Sequence, residues 1–389
     1  MSIAAGLALR AARRWASLLA GVWVMLPIAA FADDAREWLE RMNRALAEQS
    51  YEGTFFHERG GQSESLRIHH RVKNGEIAER LVSLDGSRRE FIRVGEELSY
   101  VLPDQRTVLI ERRPRRGGLL PNFPRFDEHT AQFYRLGEVQ RTRLVERDAR
   151  LISLVPLDPY RYGYRVWIDA RTRLPLKSEV YDRRGQVVER IAFASLQRVA
   201  DIPDDTFQPA VSTEGFRRIE NDGGMRLRTV NDSASVWSLR TAARGFQVTQ
   251  RGEQTLPGTD EPVSHIVLSD GLASVSVFIG ARLPPRSAKE IALERQIGAS
   301  TAFSTFLHGH HVVVIGEIPV QTARLIAAQL APGESEAAAR PAESTRPAES
   351  TRPAESTRPA EPARPGVPGR PREAVGIVQP RPAFVPQNP

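Results

Sequence analysis

The feature that most constrains the fold of this chain is a change in the spacing of its apolar residues at Tyr51. Upstream of it, five apolar residues recur at helical spacing: Trp38, Leu39, Met42, Ala45 and Leu46. Asp33 and Asp34 precede them and are good helix caps, so we predict one amphipathic helix over residues 34–48. From Tyr51 onward, apolar and polar residues alternate in short runs separated by turn sequences such as KNGE and LDGS. This pattern predicts an antiparallel meander of about six strands.

The rest of the folded body continues this pattern with two interruptions. Residues 112–126 are rich in proline, glycine and arginine, and a loop of this length in a compact domain is commonly functional or mobile; a disordered surface excursion is the alternative. After a short helical stretch near DEHTAQFYRL, further strands are predicted at LISLVPL, YRYGYRVWIDA, LPLKSEVYD and VVERIAFASL. Residues 204–234 are polar and weakly periodic, which is typical of an interdomain linker. Beyond them, four strands and a closing helix at PVQTARLIAAQL predict a small α+β domain.

These boundaries divide the chain into five parts. We predict a signal peptide over residues 1–32, a first domain over 33–207, a linker over 208–234, a second domain over 235–331 and a tail over 332–389. The signal peptide rests on three early arginines, an apolar run and a small-residue site after Ala32; an uncleaved membrane anchor is the alternative, but the run is short for a span. The tail repeats the hexapeptide RPAEST, so we expect a solvated, partly polyproline II segment that acts as a tether or a dispensable spacer.

Composition excludes several classes of function. The chain has no cysteine, which excludes disulfides, thiol chemistry and thiolate metal sites. Without the three signal-peptide arginines, 51 basic residues face 47 acidic ones, a net charge of +4. A field this weak does not indicate a nucleic-acid partner.

No familiar catalytic template is present, whether a nucleophile elbow, a zinc-protease helix, a phosphate loop or a dinucleotide fingerprint. HGHH at residues 308–311 places His308 and His310 on one face of a predicted strand without a nearby acidic partner, so we predict no metal site. Asp169 and Glu179, on neighbouring strands, are expected to be surface charges rather than an acid/base pair. We therefore predict a binding protein that is not an enzyme and has no cofactor; a hydrolase without a known motif is the alternative.

The predicted strand near residue 164 carries large apolar side chains on both faces. Tyr162, Tyr164, Val166 and Ile168 share one face, and Trp167 lies on the other. A strand that is apolar on both sides should be covered on both. Trp167 is therefore either a core residue or a ligand contact.

The stretch YRYGYRVWIDARTRLPLKSEVYDRRGQVVERIAF resembles the strand–turn–strand unit of the RseB/MucB family, periplasmic regulators of the sigma-E envelope-stress response. SYEGTFFHERGGQSESLRIHH, LDGSRREFIR, SDGLASVSVF and VVVIGEIPVQTARLIAAQ resemble further blocks of that family, in its order and spacing over residues 50–330. The repeat tail lies outside the family pattern. The resemblance implies an α+β fold with an N-terminal half-open antiparallel β-barrel under helical cover, similar to the lipoprotein carriers LolA and LolB, plus a smaller C-terminal α+β domain.

The resemblance also implies a periplasmic function without catalysis. Members of the family bind the periplasmic region of a membrane-spanning anti-sigma factor, RseA or MucA, and shield it from the site-1 protease DegS. Lipid signals, such as mislocalised lipoprotein or lipopolysaccharide, relieve that shield. The alternative is a lipid or lipoprotein carrier of the LolA type, for which the C-terminal domain would be surplus. A homo-oligomer is a further option, and the resemblance assigns no residues to the anti-sigma contact.

Because the resemblance carries no local binding signature, candidate site residues come from the 112–126 loop and its neighbours. Six apolar residues are the candidate contacts for acyl chains: Leu119, Leu120, Phe123, Phe126, Phe133 and Trp167. Four arginines beside that apolar run are the candidate contacts for an anionic headgroup: Arg112, Arg113, Arg115 and Arg116.

Overall fold

The computed structural model of the protein describes residues 28–112, 118–120, 123–221, 237–241, 245–255, 261–282 and 292–332. The described residues form two lobes, each with its own large sheet. We call residues 28–221 the N-terminal lobe and residues 237–332 the C-terminal lobe. None of the described helices is both long and apolar enough to cross a membrane.

The N-terminal lobe opens with helix α1 (Ile28–Glu48), which begins inside the predicted signal peptide and ends where predicted. Residues 1–27 of that predicted peptide lie outside the described residues. The strands of this lobe are β1 (Tyr51–Arg59), β2 (Gln62–Lys73), β3 (Glu76–Ser83), β4 (Glu90–Val94), β5 (Glu97–Leu102), β6 (Thr107–Arg112), β7 (Tyr134–Leu136), β8 (Gln140–Leu144), β9 (Arg147–Pro156), β10 (Gly163–Asp169), β11 (Pro175–Tyr181), β12 (Val187–Arg198) and β13 (Arg217–Asn221). The predicted six-strand meander and the four later strands are confirmed. The helical stretch predicted near DEHTAQFYRL is only a 3₁₀ turn (Thr130–Gln132), because β7 begins two residues later.

These strands form one sheet in the order β13-β6-β5-β4-β3-β2-β1-β12-β11-β10-β9-β7, with β8 also paired to β9. Neighbours are antiparallel except β13, which runs parallel to β6. Because β13 falls within the predicted linker, that part of the linker is a strand of the sheet. A closed barrel requires the two edge strands to pair with each other. In the described residues β13 pairs with β6 and β7 pairs with β9, so the sheet is not closed and the predicted half-open barrel is not confirmed.

One face of this sheet and helix α1 share an apolar core. The buried residues that α1 contributes lie on one side of the helix: Ala35, Trp38, Leu39, Met42 and Ala45. The strands contribute alternate residues, as Tyr164, Val166 and Ile168 do in β10. A second, smaller cluster on the sheet packs Ile202 and Phe207 against residues of β3 to β6. The chain after β12 is therefore packed on the sheet.

The C-terminal lobe contains a six-stranded antiparallel sheet in the order β15-β16-β17-β20-β19-β18, and a separate pair of β14 with β21. Its elements are β14 (Trp237–Leu239), β15 (Gln247–Thr255), β16 (Pro262–Ser269), β17 (Ser274–Arg282), β18 (Leu293–Ile297), β19 (Ser300–Leu307), β20 (His310–Gly316), α2 (Val320–Gln329) and β21 (Leu330–Pro332). The four predicted strands and the closing helix are confirmed. Strands β14, β18, β19 and β21 were not predicted. In β18, LERQI is exposed along nearly its whole length and shows no apolar alternation. Ala323, Ile326 and Ala327 of α2 share the core of this lobe with Val312 and Val314 of β20.

Candidate functional site

The candidate acyl contacts of the 112–126 loop lie mainly inside the N-terminal core. Leu119, Leu120 and Phe123 are 3%, 6% and 7% exposed and belong to the same buried cluster as α1 and the sheet. Phe126 and Phe133 are partly buried and pack against that cluster. The structure therefore brings five of the six candidates to one core, where they contact protein. Their role as lipid contacts stays a prediction.

Helix α1 holds the backbone of this loop. The Asn43 side-chain amide donates to the carbonyl of Pro124 at 3.1 Å, and Arg36 Nε donates to the carbonyl of Phe126 at 3.3 Å. The Arg36 guanidinium also lies 5.9 Å from the centre of the Phe126 ring. The polar edge of the helix thus fixes the loop, while its apolar side faces the core.

A buried charge cluster lies next to the same loop. Glu79, which is 1% exposed, accepts the backbone N–H of Leu119 at 3.1 Å, and its other oxygen lies 2.9 Å from His70 Nδ1. Arg93 Nη1 is 3.8 Å from the Glu79 carboxylate, and His70 stacks on Tyr51 with ring centroids 4.6 Å apart. Burial, followed by the Glu79 charge, raises the pKa of Tyr51 well above its ordinary value. A buried carboxylate needs such partners, and through them the loop is tied to β3.

Trp167 lies apart from the other apolar candidates. Its neighbours Val166 and Ile168 belong to the core, so Trp167 faces the opposite side of the sheet. There the Lys177 ammonium is 4.4 Å from the centre of the indole ring, a cation–π contact on a half-buried surface. Trp167 is thus neither in the core cluster nor beside the loop.

The candidate headgroup arginines are described only in part. Arg112 is the last residue of β6 and has an exposed side chain. The other three candidates lie outside the described residues: Arg113, Arg115 and Arg116.

A cavity of about 260 Å³ opens beside the β8–β9 turn. Val145 and Arg147 line it together with Leu176 and residues 193–197 of β12. Leu176, Phe193 and Leu196 are also members of the N-terminal core cluster, so the cavity reaches that core. Its volume is close to the lower end of the roughly 300–1,000 Å³ of small-molecule pockets.

The two carboxylates expected at the surface are buried and paired. Asp169 Oδ2 lies 2.6 Å from Arg147 Nε, and Glu179 Oε1 lies 2.8 Å from Lys177 Nζ and 3.1 Å from Arg190 Nε. The expectation of surface charges was wrong because each carboxylate has basic partners on neighbouring strands. The pairs are separate, so they do not form an acid/base site.

The HGHH segment does not gather its histidines around one point. His310 Nδ1 lies 2.9 Å from the carbonyl of Gly280, whereas His311 Nε2 lies 2.7 Å from Ser304 Oγ. Within the described ranges, no group of three or more His, Asp or Glu side chains is placed to hold a metal ion.

A buried ion pair joins the two lobes. Arg161, whose side chain is 0% exposed, donates from Nη1 to Asp270 Oδ2 at 2.7 Å and from Nε to Asp158 Oδ1 at 3.0 Å. Its guanidinium carbon lies 4.5 Å from the Phe133 ring centre and 5.4 Å from that of Phe246, so aromatic rings of both lobes surround the charge. Asp270 follows β16, and its other oxygen accepts the backbone N–H groups of residues 272 and 273 at 2.9 and 2.8 Å.

Further contacts connect the lobes at the β18–β19 turn and at α2. At the β18–β19 turn, Ala299 N donates to Glu189 Oε2 at 3.2 Å, and Glu189 Oε1 lies 2.7 Å from His57 Nε2. At α2, Thr322 Oγ1 donates to the carbonyl of Tyr160 at 2.7 Å. Glu317, at the end of β20, faces the same interface: burial, followed by the charge of Glu189, raises the pKa of Glu317 to about 7.

Sequence reasoning missed these interlobe residues. Arg161 stands among tyrosines in RYGY and reads as an ordinary strand residue, and Asp270 reads as a turn residue in SDG. The only available signal was their position inside two of the quoted family-like blocks. Their pairing spans 109 positions of sequence, so no local pattern indicates it.

Comparison with known proteins gives matches to both lobes. The model of the MucB/RseB N-terminal domain matches residues 34–211, and that of the MucB/RseB C-terminal domain matches residues 231–331. The sigma factor AlgU regulatory protein MucB of Pseudomonas aeruginosa is 32% identical over 337 residues, which cover 83% of this chain and 98% of that protein. The sigma-E factor regulatory protein RseB of Escherichia coli K12 is 27% identical over 306 residues, covering 77% and 91%.

Solved structures give the same relationship. A crystal structure of MucB in complex with MucA(peri) matches with a TM-score of 0.59 and 30% identity, covering 77% of this chain and 99% of that chain. A crystal structure of MucB alone matches with a TM-score of 0.51 and 29% identity, covering 77% and 98%.

Proposed function

The chain belongs to the MucB/RseB family, and on this premise we propose that it regulates a sigma factor of the AlgU or sigma-E type by binding the periplasmic region of a membrane anti-sigma factor. The observation that carries this is the match of both family models, in order, over nearly the whole described chain. The MucB relative, which was crystallised with MucA(peri), is covered over 99% of its chain. The MucB and RseB relatives of this chain are regulatory proteins, which supports a role without catalysis.

The finer steps are part of the same proposal. In the periplasm the protein shields its partner from the site-1 protease, and a lipid relieves the shield by binding the partner-free form. A ligand that prefers one of two linked states shifts their equilibrium by its differential affinity. An acyl chain contributes roughly 0.8 kcal/mol per buried CH₂, so a few methylenes are enough to change the equilibrium severalfold.

We place the acyl site in the N-terminal domain, residues 33–207, as a half-open barrel covered by α1. The buried loop residues Leu119, Leu120 and Phe123 support this location because they fill the apolar face with which α1 also packs. The cavity beside β12 supports an approach to the same core. Arg112 and the three arginines after it would contact an anionic headgroup.

A protection assay tests the function. The full chain without residues 1–32 is mixed with the periplasmic region of Pseudomonas aeruginosa MucA and a site-1 protease, and cleavage is followed with and without lipopolysaccharide. We expect slower cleavage with the protein present and recovery of cleavage when the lipid is added. Unchanged cleavage in the absence of lipid would contradict the regulator. Tight lipid binding without any protection would instead support the carrier alternative.

A further inference from the structure

The interface between the lobes combines buried polar contacts with apolar ones, since Leu272 of the C-terminal lobe packs against the N-terminal core. Arg161 and Asp270 are both fully buried in side-chain terms, and further hydrogen bonds between the lobes run from Ala299 N to Glu189, from Gln296 Nε2 to the Tyr162 hydroxyl and from Thr322 Oγ1 to the Tyr160 carbonyl. Interfaces between domains commonly resemble those of transient complexes, since polar groups regain water when they separate.

The ion pair between Arg161 and Asp270 also restricts how the two lobes are oriented relative to each other. The guanidinium presents its N–H donors in a fixed planar arrangement, and two of its acceptors are Asp158 of its own lobe and Asp270 of the other. Buried ion pairs add little net stability, but they penalise strongly any arrangement that leaves one partner unpaired. If the lobes rotated or slid relative to each other, Asp270 would lose its pairing with Arg161. The ion pair therefore favours one relative orientation of the lobes.

The close packing around the pair restricts the same orientation. Gly245 has a φ of +82°, and a Cβ there would lie 2.5 Å from the Phe133 ring. A Cβ at Gly271, beside Asp270, would lie 2.8 Å from the Thr130 side chain. Backbone of the C-terminal lobe thus lies directly on side chains of the N-terminal lobe at two points.

We propose that Arg161 and Asp270 form a latch that holds the two lobes in the orientation that binds the anti-sigma segment, and that they act as positioning residues without touching that segment. This rests on the proposed function. The protein matches MucB in its complex with MucA(peri) with a TM-score of 0.59 over 77% of this chain. Partner affinity then depends on the fraction of molecules in the docked orientation, because apparent affinity scales with the competent fraction.

The chain supplies a matched control for this latch. Asp169 has the same two roles as Asp270, since one oxygen accepts two backbone N–H groups at 2.8 and 2.7 Å and the other pairs with Arg147 at 2.6 Å. It is also buried, at 2% exposed. Both residues of that pair belong to the N-terminal lobe, and the Arg147 side chain is 23% exposed where that of Arg161 is 0%. Asp169→Asn therefore removes a similar, less buried ion pair without removing a contact between lobes.

The test compares Asp270→Asn, Asp169→Asn and wild type. Calorimetry gives the dissociation constant for the periplasmic region of Pseudomonas aeruginosa MucA, and small-angle X-ray scattering gives the radius of gyration of the free protein. We expect Asp270→Asn to bind about tenfold or more weakly and to have a larger radius of gyration, whereas Asp169→Asn binds like wild type. Arg161→Lys keeps the charge but reaches one carboxylate at a time, so we expect an intermediate loss.

Equal weakening by the two asparagine variants would overturn the latch, because the effect would then be general destabilisation. Unchanged binding by Asp270→Asn would overturn it as well. If wild type itself does not bind MucA, the proposed function fails for this partner. Scattering from the free protein still tests the latch in that case, since an unchanged radius of gyration in Asp270→Asn would refute it.

Discussion

His265 in β16 is a buried side chain whose chemistry conflicts with its surroundings. It is 2% exposed and stacks on Phe278 at a centroid distance of 4.4 Å, and among the described residues neither ring nitrogen has a hydrogen-bond partner. Burial lowers the pKa of this imidazole to about 4 from 6.5. Below pH 6.5 the unfolded chain takes up a proton that the native lobe does not, so stability falls as the pH drops from 6.5 towards 4.

We expect His265→Leu to remove part of this acid sensitivity. The pKa difference of His265 corresponds to a decrease of about 3 kcal/mol in the free energy of unfolding by pH 4. Leucine does not titrate, so the variant should not show this decrease. Urea unfolding at pH 7.5 and pH 4.5 measures the loss of stability between these pH values. His308→Asn, a substitution of an exposed histidine, is the control. A variant that loses as much stability at low pH as wild type would contradict this account.

At the scale of elements, the chain between β6 and β7 is the one whose position was least predictable. Its prolines, glycines and arginines predict a functional or mobile loop, with a disordered surface excursion as the alternative, but Leu119, Leu120 and Phe123 are in the core. The reason is physical: α1 supplies hydrogen-bond donors to the carbonyls of Pro124 and Phe126, and Glu79 accepts the Leu119 N–H, so these polar groups are paired where the described residues enter the core. Helix α1 itself was predictable, because a one-sided apolar stripe is a property of local spacing.

We expect Leu120→Ala to destabilise the N-terminal lobe as a core substitution does, by about 2–5 kcal/mol. Leu157→Ala is the control, since Leu157 is 55% exposed and its loss should change stability by less than about 0.5 kcal/mol. Denaturant unfolding followed by fluorescence compares the two. If Leu120→Ala left the unfolding midpoint unchanged, the loop would not be part of the core in solution.

For the whole molecule, the contacts between lobes decide how the two sheets act together. Gly298 in the β18–β19 turn has a φ of +62°, and a Cβ there would lie 2.7 Å from Arg59 Cβ in the other lobe. Gly75 in the β2–β3 turn has a φ of +78° with nothing within 4 Å. Both glycines therefore have a left-handed backbone conformation, but only Gly298 lies in close contact with the other lobe.

We expect Gly298→Ala to cost at least about 1 kcal/mol more than Gly75→Ala. Both substitutions carry the left-handed backbone penalty of roughly 1–2 kcal/mol, and only Gly298→Ala adds a clash across the interface. Thermal and denaturant unfolding of the two variants measure the difference. Equal losses would mean that the turn does not touch the other lobe in solution.

By itself, the sequence determined the types and order of most elements and the lack of a catalytic motif. Helix α1, the β1–β6 meander and α2 follow from hydrophobic period and turn residues, which are set within a few residues of each other. Tertiary structure alone decided that the large sheet is open across its described strands, that Leu120 is in the core, and that Trp167 lies under Lys177. It also decided that Arg161 meets Asp270, because that contact depends on how two separately folded sheets pack, and no local pattern specifies it.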